Sequence, residues 1–514
     1  MAIQPLVRSE KACGCNPGMY AKGKSDREIV SMKQANNSTQ PHVKCGQPLE
    51  EPVEKRALTK GNSDQPTVTS TQKLGSALSG LGRIREAAKR NPQLQFTNLM
   101  HHINKETLYK SYWSLKRNAA SGIDEMTWSE YGQGLEKRIL KLYDNVQSGR
   151  YRAKPSLRTW IPKSDGKKRP IGIAALEDKV VQQALMWVFQ SIYENDFLGF
   201  SYGGRPGRNQ HNALDALYVA ITQKKVSWVL DADIRSFYDA VDHGWLLKFL
   251  EHRITDQRIL RLVRKFLRAG VSEDGEWSKT VVGTPQGAVI SPVLANIYLH
   301  YGLDLWVNKW RKQNARGEVY IVRFVDDFVM GFQFRSDAEL FKKELSIRLA
   351  NFELELHDEK TRLVEFGRFA AQNRKARGLG KPETFDFLGF THICSRTRKN
   401  RRFSLMRKTI TKRLGAKAKE VRNVLKRMRH KPVPEQGKWL CSVVRGHFNY
   451  YGVPGNVRAL QAFRTLVNKA WLHALRGRSQ KGKNLTWERM AKLIRVWIPG
   501  VRVCHPYPNQ RLCV

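Results

Sequence analysis

The sequence predicts an α+β protein with a basic, helical C-terminal part, and three observations predict it. Strand-like apolar runs, Trp228 to Leu230 and Tyr320 to Phe324 among them, are interleaved with longer helical patterns from about Leu94 to about Leu388. From Arg396 onward the strand signals mostly stop and the charge becomes extreme, with sixteen Lys and Arg against one Glu between Ser395 and Lys431. The 514 residues are 41% hydrophobic and 10% aromatic, enough apolar material for cores in about three or four domains.

The balance of 90 Lys and Arg against 46 Asp and Glu leaves a formal charge of +44 and a pI near 10.2. Such a like-charge excess opposes compaction unless a polyanion meets it, so nucleic acid is the first partner implied and an anionic membrane the second. Most small-molecule metabolic enzymes are excluded on the same ground. No run of about 18 apolar residues occurs, and Met1-Ala2-Ile3-Gln4-Pro5 lacks the basic-then-apolar pattern of a signal peptide. Seven scattered cysteines (13, 15, 45, 394, 441, 504 and 513) fit a reducing cytoplasm, and most of them read as thiols. Cys13-Gly14-Cys15 and Cys45 have neither the spacing nor the His pair of a zinc site.

Taken in order, residues 1–75 are rich in Ser, Thr, Gln, Asn, Pro and Lys and read as a flexible extension. The folded block, 76–395, contains Trp228-Val229-Leu230-Asp231-Ala232-Asp233, an apolar strand running into acid residues, with Phe237 and Tyr238 close behind. Farther along, Tyr320-Ile321-Val322-Arg323-Phe324-Val325 and Phe328-Val329-Met330-Gly331-Phe332 flank the pair Asp326-Asp327, which predicts a hairpin with carboxylates at its turn. An Asp-Asp turn alone is ordinary. Adjacent carboxylates at the end of apolar strands repel each other unless a cation neutralises them, and oxygen-only ligands suit Mg²⁺. One Asp from the first strand and two from the hairpin make a three-carboxylate site for two Mg²⁺ ions, the arrangement that serves in-line phosphoryl displacement in nucleotide polymerases. In the basic part, Ile410, Leu414, Ala418, Val421, Leu425 and Met428 recur at spacings of three and four. Lys412, Arg413, Lys417, Arg422, Lys426 and Arg427 fill the other faces, which predicts one amphipathic helix with a phosphate-facing surface.

These blocks resemble, in collinear order, the reverse transcriptases encoded by group II introns, which also act as maturases. The resemblance begins at Asn118-Ala119-Ala120-Ser121-Gly122-Ile123-Asp124 and runs through Ile161-Pro162-Lys163-Ser164-Asp165-Gly166-Lys167-Lys168-Arg169-Pro170 and Ser201-Tyr202-Gly203-Gly204-Arg205-Pro206. It continues through the Asp233 strand, Gly283-Thr284-Pro285-Gln286-Gly287, the Asp326-Asp327 hairpin and Phe385-Asp386-Phe387-Leu388-Gly389-Phe390. It implies a right-hand polymerase: fingers and palm over 76–395, a thumb or maturase domain over 396–475, and a nucleic-acid-binding tail over 476–514.

Carried over by position, Asp233, Asp326 and Asp327 match the metal-binding carboxylates, with Asp231 ranking behind Asp233. Lys163 and Arg169 match the cations that hold the incoming triphosphate, a role their point charge and forked guanidinium suit. Tyr238 matches the ring that rejects a 2′-hydroxyl, with Phe237 as its neighbouring rival, and Gln286 matches a residue that positions template and nucleotide. Lys360 falls where the family often has a basic residue. Two departures stand out: Phe324-Val325 where Tyr-Ala is common, and Gly204 where an aromatic is usual, which is expected to loosen local packing. The rings Trp439, His447, Phe448, Tyr450 and Tyr451 read as core of the basic part. After Arg511 nothing resembles the His-Asn-His endonuclease of longer members, so second-strand cleavage is not expected. The implied partners are group II intron RNA, a DNA primer or target, the RNA template–cDNA duplex and dNTPs, with no membrane; the implied location is a bacterial cytoplasm, at the nucleoid when bound to DNA. Two other readings remain beside this one: a splicing factor that no longer polymerises, and a relative recruited to host defence or repair.

Overall fold

The computed structural model describes residues 74–162, 168–273, 276–278, 282–397 and 399–511. Nearly all of the extension expected over 1–75, with Cys13, Cys15 and Cys45, lies outside them, as does Lys163. The first described element is a helix, α1 (Leu74–Arg90), which precedes the interleaved strand and helix pattern read from about Leu94. Its Leu81 and Ile84 pack into the same core as helix α2 (Leu176–Tyr193), and Ala88, four residues on, is buried.

The centre of the fold is a four-stranded antiparallel sheet in the order β6 (Val319–Phe324), β7 (Asp327–Phe332), β3 (Trp228–Asp233) and β8 (Arg362–Glu365). Alternation decides what each face carries. Leu230 and Ala232 of β3, Phe328, Met330 and Phe332 of β7, and Val319 and Ile321 of β6 enter the larger core. Helix α6 (Arg335–Ala350) covers that side through Ala338, Phe341, Leu345 and Leu349. The opposite face presents Val229, Val329, Tyr320, Val322 and Val364, covered by Ala213, Leu214, Leu217 and Ile221 of helix α3 (Gln210–Gln223). Asp231, Asp233 and Asp327 continue that second face at the end of the strands. A sheet buried on both sides thus ends in a row of acids.

A second sheet, ordered β2 (Lys168–Ile173), β1 (Ser156–Pro162), β4 (Val271–Glu273), β5 (Glu276–Ser278), interleaves with the central one in sequence, β3 falling between β2 and β4, and pairs β1 antiparallel with β2 and parallel with β4. A third contains β9 (Phe385–Phe387), β10 (Phe390–Arg396) and β11 (Phe403–Thr409). The last strand corrects the expectation that strands mostly stop at Arg396. All seven residues of β10 pair with β11, so the sheet continues past the boundary placed after residue 395. The strand was hidden by its charge: Arg407 is 1% exposed and pairs with Asp215 of α3 at 2.7 Å.

Among the described residues four long helices follow: α7 (Thr411–Arg427), α8 (Val433–Tyr451), α9 (Val457–Arg476) and α10 (Trp487–Trp497). Their core is built from Val421, Leu425, Leu440, Val444, Phe463, Trp471 and Met490. Four of the five rings behave as the sequence suggested: Phe448 is buried, Trp439 and Tyr451 pack on that core, and His447 stacks on Phe463 with centroids 3.7 Å apart; Tyr450 instead packs on the core beneath the sheets and donates to the carbonyl of Leu388 at 2.9 Å. Beyond α10 the chain returns to α3, where His505 stacks on His211 at 3.6 Å and Gln223 donates to Asn509. Among the described residues no helix is long and apolar enough to cross a membrane.

Candidate active site

Strand register brings the acids together. In the β3–β7 ladder Asp233 stands directly opposite Asp327, which puts their Cβ atoms about 4.5–5.5 Å apart. Phe324 pairs with Asp327 across β6–β7, so Val325 and Asp326 form a two-residue turn. Val325 has φ +61°, a left-handed conformation that a β-branched residue rarely adopts. Burial lifts the Asp327 carboxyl well above its ordinary range, and Asp231, Asp233 and Asp326 push it further while Arg413 opposes. Asp326 is raised chiefly by burial and by Asp233, with Arg169 and Arg323 opposing. Asp231 is pushed up to about 7, again by burial first; Asp386 and Asp233 add to this and Arg362 counters it. Burial and mutual repulsion therefore both disfavour the charged form of these acids.

Around these acids stand most of the other predicted residues. Phe237 is 1% exposed in the core, whereas Tyr238, its neighbour on the short helix α4 (Phe237–Ala240), faces Asp326 and Arg169. Burial and Asp326 raise its hydroxyl to about 12. Arg169 is exposed on β2 opposite Ile161. Gln286 sits between these elements: its carbonyl accepts from Gly172 of β2 at 2.7 Å, and Thr284 donates to the carbonyl of Tyr238 at 2.7 Å. Lys360 donates to Asp233 Oδ2 at 2.5 Å. Among the described residues no three His, Cys, Asp or Glu side chains converge as a ready-made metal site.

Residues 161–392 match the family described as reverse transcriptase (RNA-dependent DNA polymerase). The chain is 32% identical over 274 residues to Protein YkfC of Escherichia coli K12, covering 47% of this chain and 71% of that one. It is 34% identical over 225 residues to the group II intron-encoded protein LtrA of Lactococcus lactis, covering 43% of this chain and 37% of LtrA. This chain belongs to the group II intron reverse transcriptase and maturase family. A 91 kDa protein in the cob intron of Schizosaccharomyces pombe is 29% identical over 314 residues, covering 59% of this chain and 38% of that protein. The matched stretch thus spans less than two-fifths of LtrA and of the cob intron protein. As a reverse transcriptase, the chain has a polymerase domain of a kind that uses divalent metal ions. The chemistry of its donors suits such an ion, oxygen-only carboxylates with two directly paired across strands and one in the adjoining turn, although their side chains are not gathered around one point.

Within this reverse transcriptase the six cations singled out on α7 do not share one environment. Lys412, Arg422, Lys426 and Arg427 are exposed. Lys417 pairs with Glu420 at 2.8 Å and, after burial, helps hold His447 down to about 4. Arg413, although exposed, lies by Gly389 and Tyr451 and within electrostatic range of Asp327. Gly204 does not loosen its surroundings: at φ +70° its backbone packs so that a Cβ would come within 3.1 Å of Pro292 Cβ. The sequence reading missed Arg323 and its buried partners Ser201, Asn296 and Asp304, each 0% exposed. The available signal was a charge on the core-facing side of an apolar strand.

Proposed function

We propose that this protein copies RNA into DNA from a DNA 3′-hydroxyl, binds group II intron RNA to assist its splicing, and supports target-primed reverse transcription. The observation that carries the reading is the register of Asp233 on Asp327 beside the Asp326 turn. In this reading the central sheet is the palm, the β1–β2 sheet the fingers, and α7–α10 the thumb that doubles as the maturase domain.

Asp233, Asp326 and Asp327 would hold two Mg²⁺ ions, which when bound favour attack by the primer hydroxyl and departure of pyrophosphate. Lys360 keeps the Asp233 carboxylate oriented and balanced before loading. Arg169, with Lys163, receives the triphosphate of the incoming dNTP, the guanidinium forking onto phosphate oxygens. The Tyr238 ring lies under the sugar, where it has no group to pair with a 2′-hydroxyl and leaves no space for one. Gln286, fixed by its backbone to β2, positions the template base and nucleotide. The exposed cations of α7 take the sugar-phosphate backbone of the template–primer duplex or of intron RNA, and RNA shape supplies discrimination.

Primer extension by purified protein on poly(rA) with oligo(dT) tests the reading. Wild-type protein is expected to make cDNA, and an Asp326→Ala, Asp327→Ala double variant to make none while binding intron RNA as before. Normal synthesis by that double variant would sink the assignment.

A further inference from the structure

Arg323 is the last core-facing residue of β6 before the catalytic turn, so its side chain leaves the sheet on the side opposite Asp327. It is 0% exposed, yet all five of its N–H donors are used. Nε and Nη2 fork onto Asp304 Oδ1 and Oδ2 at 2.7 and 2.5 Å. The second Nη2 hydrogen goes to Ser201 Oγ at 2.7 Å, and Nη1 donates to Asn296 Oδ1 at 3.1 Å and to the carbonyl of Val325 at 2.9 Å. The last bond reaches the strained turn residue itself.

Other parts of the chain close on the same point. Asn296 also donates through Nδ2 to the carbonyl of Gly203 at 2.7 Å. Gly203 is where the turn makes its closest approach: a Cβ there would sit 2.6 Å from Val325 Cγ2 and 2.7 Å from Val325 N. Asp304 ends a five-residue π-helical segment, His300–Asp304, set between helix α5 (Ser291–Leu299) and the helix Leu305–Gln313. The wider turn shifts the register of the side chains that follow, and such segments recur where a helix presents a functional group. A buried ion pair is a weak stabiliser beside a well-packed apolar pair of the same size. What this one supplies is geometry: a planar fork with fixed directions, which a single ammonium does not reproduce.

We propose that Arg323, held by Asp304, Asn296 and Ser201, is the positioning residue that fixes the Val325–Asp326 turn and so sets the Asp326 and Asp327 carboxylates for nucleotide transfer. The proposal rests on the polymerase reading of those carboxylates. Arg323 touches no substrate; it acts through the Val325 carbonyl.

The test uses the full chain carrying Arg323→Lys or Asn296→Ala beside wild type. Melting temperature, active-site concentration, kcat and KM for dTTP on poly(rA)·oligo(dT), and amide exchange at Asp326 and Asp327 in metal-free protein are measured. In folded variants kcat per active site falls about ten- to hundredfold, as a misplacement on the order of 1 Å predicts, while KM stays within about threefold. Exchange at these two amides rises on the order of tenfold in the same proteins. Wild-type kcat and wild-type exchange in folded Arg323→Lys overturn the proposal. Should that variant fail to fold, Asn296→Ala, which leaves the Arg323–Asp304 pair in place, decides on the same two readings. A wild-type protein that makes no cDNA sinks the polymerase reading alone, because the exchange comparison still decides whether Arg323 holds the turn.

Discussion

Asp327 shows how one residue combines cost and use. Its carboxyl is half-buried, faces Asp233 and adjoins Asp326, and each of these raises its proton affinity. A carboxyl whose folded-state pKa exceeds its unfolded value stabilises the fold below the unfolded pKa and loses that contribution as pH rises through the folded one. For Asp231, raised to about 7, that window runs from about pH 4 to about pH 7, and Asp326 and Asp327 shift in the same direction. A divalent cation binds the charged forms. The rise in melting temperature on adding millimolar MgCl₂ is therefore expected to be several degrees near about pH 8 and to shrink towards zero near about pH 5.5. A pH-independent rise measured by calorimetry would contradict this. Tyr238 gives a second residue-scale prediction: Tyr238→Ala opens space under the sugar and should raise ribonucleotide incorporation relative to dNTPs about 10- to 200-fold, as read in single-nucleotide extension.

At the scale of elements, α7 depends on a buried side chain from the next helix. Gln436 of α8 is 0% exposed; its Nε2 donates to the carbonyls of Met428, Arg429 and Lys431, and its Oε1 accepts from Trp471. Gln436→Leu leaves three carbonyls and an indole N–H without this partner and is expected to cost about 1–3 kcal/mol, seen as a lower melting temperature. What the sequence disclosed about elements follows from range. The Asp326-Asp327 hairpin and the α7 periodicity are local patterns, so both were legible. The facing of Asp233 on Asp327 is a pairing between distant strands, and only the choice of acid residues hinted at it. Charge concealed β11, polar flanks concealed α1, and the Arg323 partners are scattered, Ser201 lying 122 positions away. The choice between Phe237 and Tyr238 needed burial, which places the first in the core and the second by Asp326.

For the whole molecule, the +44 charge sets the affinity for polyanions and its salt dependence. Replacing Lys412, Arg422, Lys426 and Arg427 together with Gln should flatten the slope of log K against log [salt] for intron RNA by about 3. Filter binding across a salt series reads it directly, and an unchanged slope would remove α7 from the RNA surface. The central claim is that a costly cluster of acids is kept because it copies RNA. Asp327→Asn tests it most directly, with single-turnover extension of a DNA primer on RNA and metal-free melting measured on one preparation. The account predicts a melting temperature at or above wild type, since a repelled charge is gone, together with extension slower on the order of 10³-fold. Extension at the wild-type rate would contradict it.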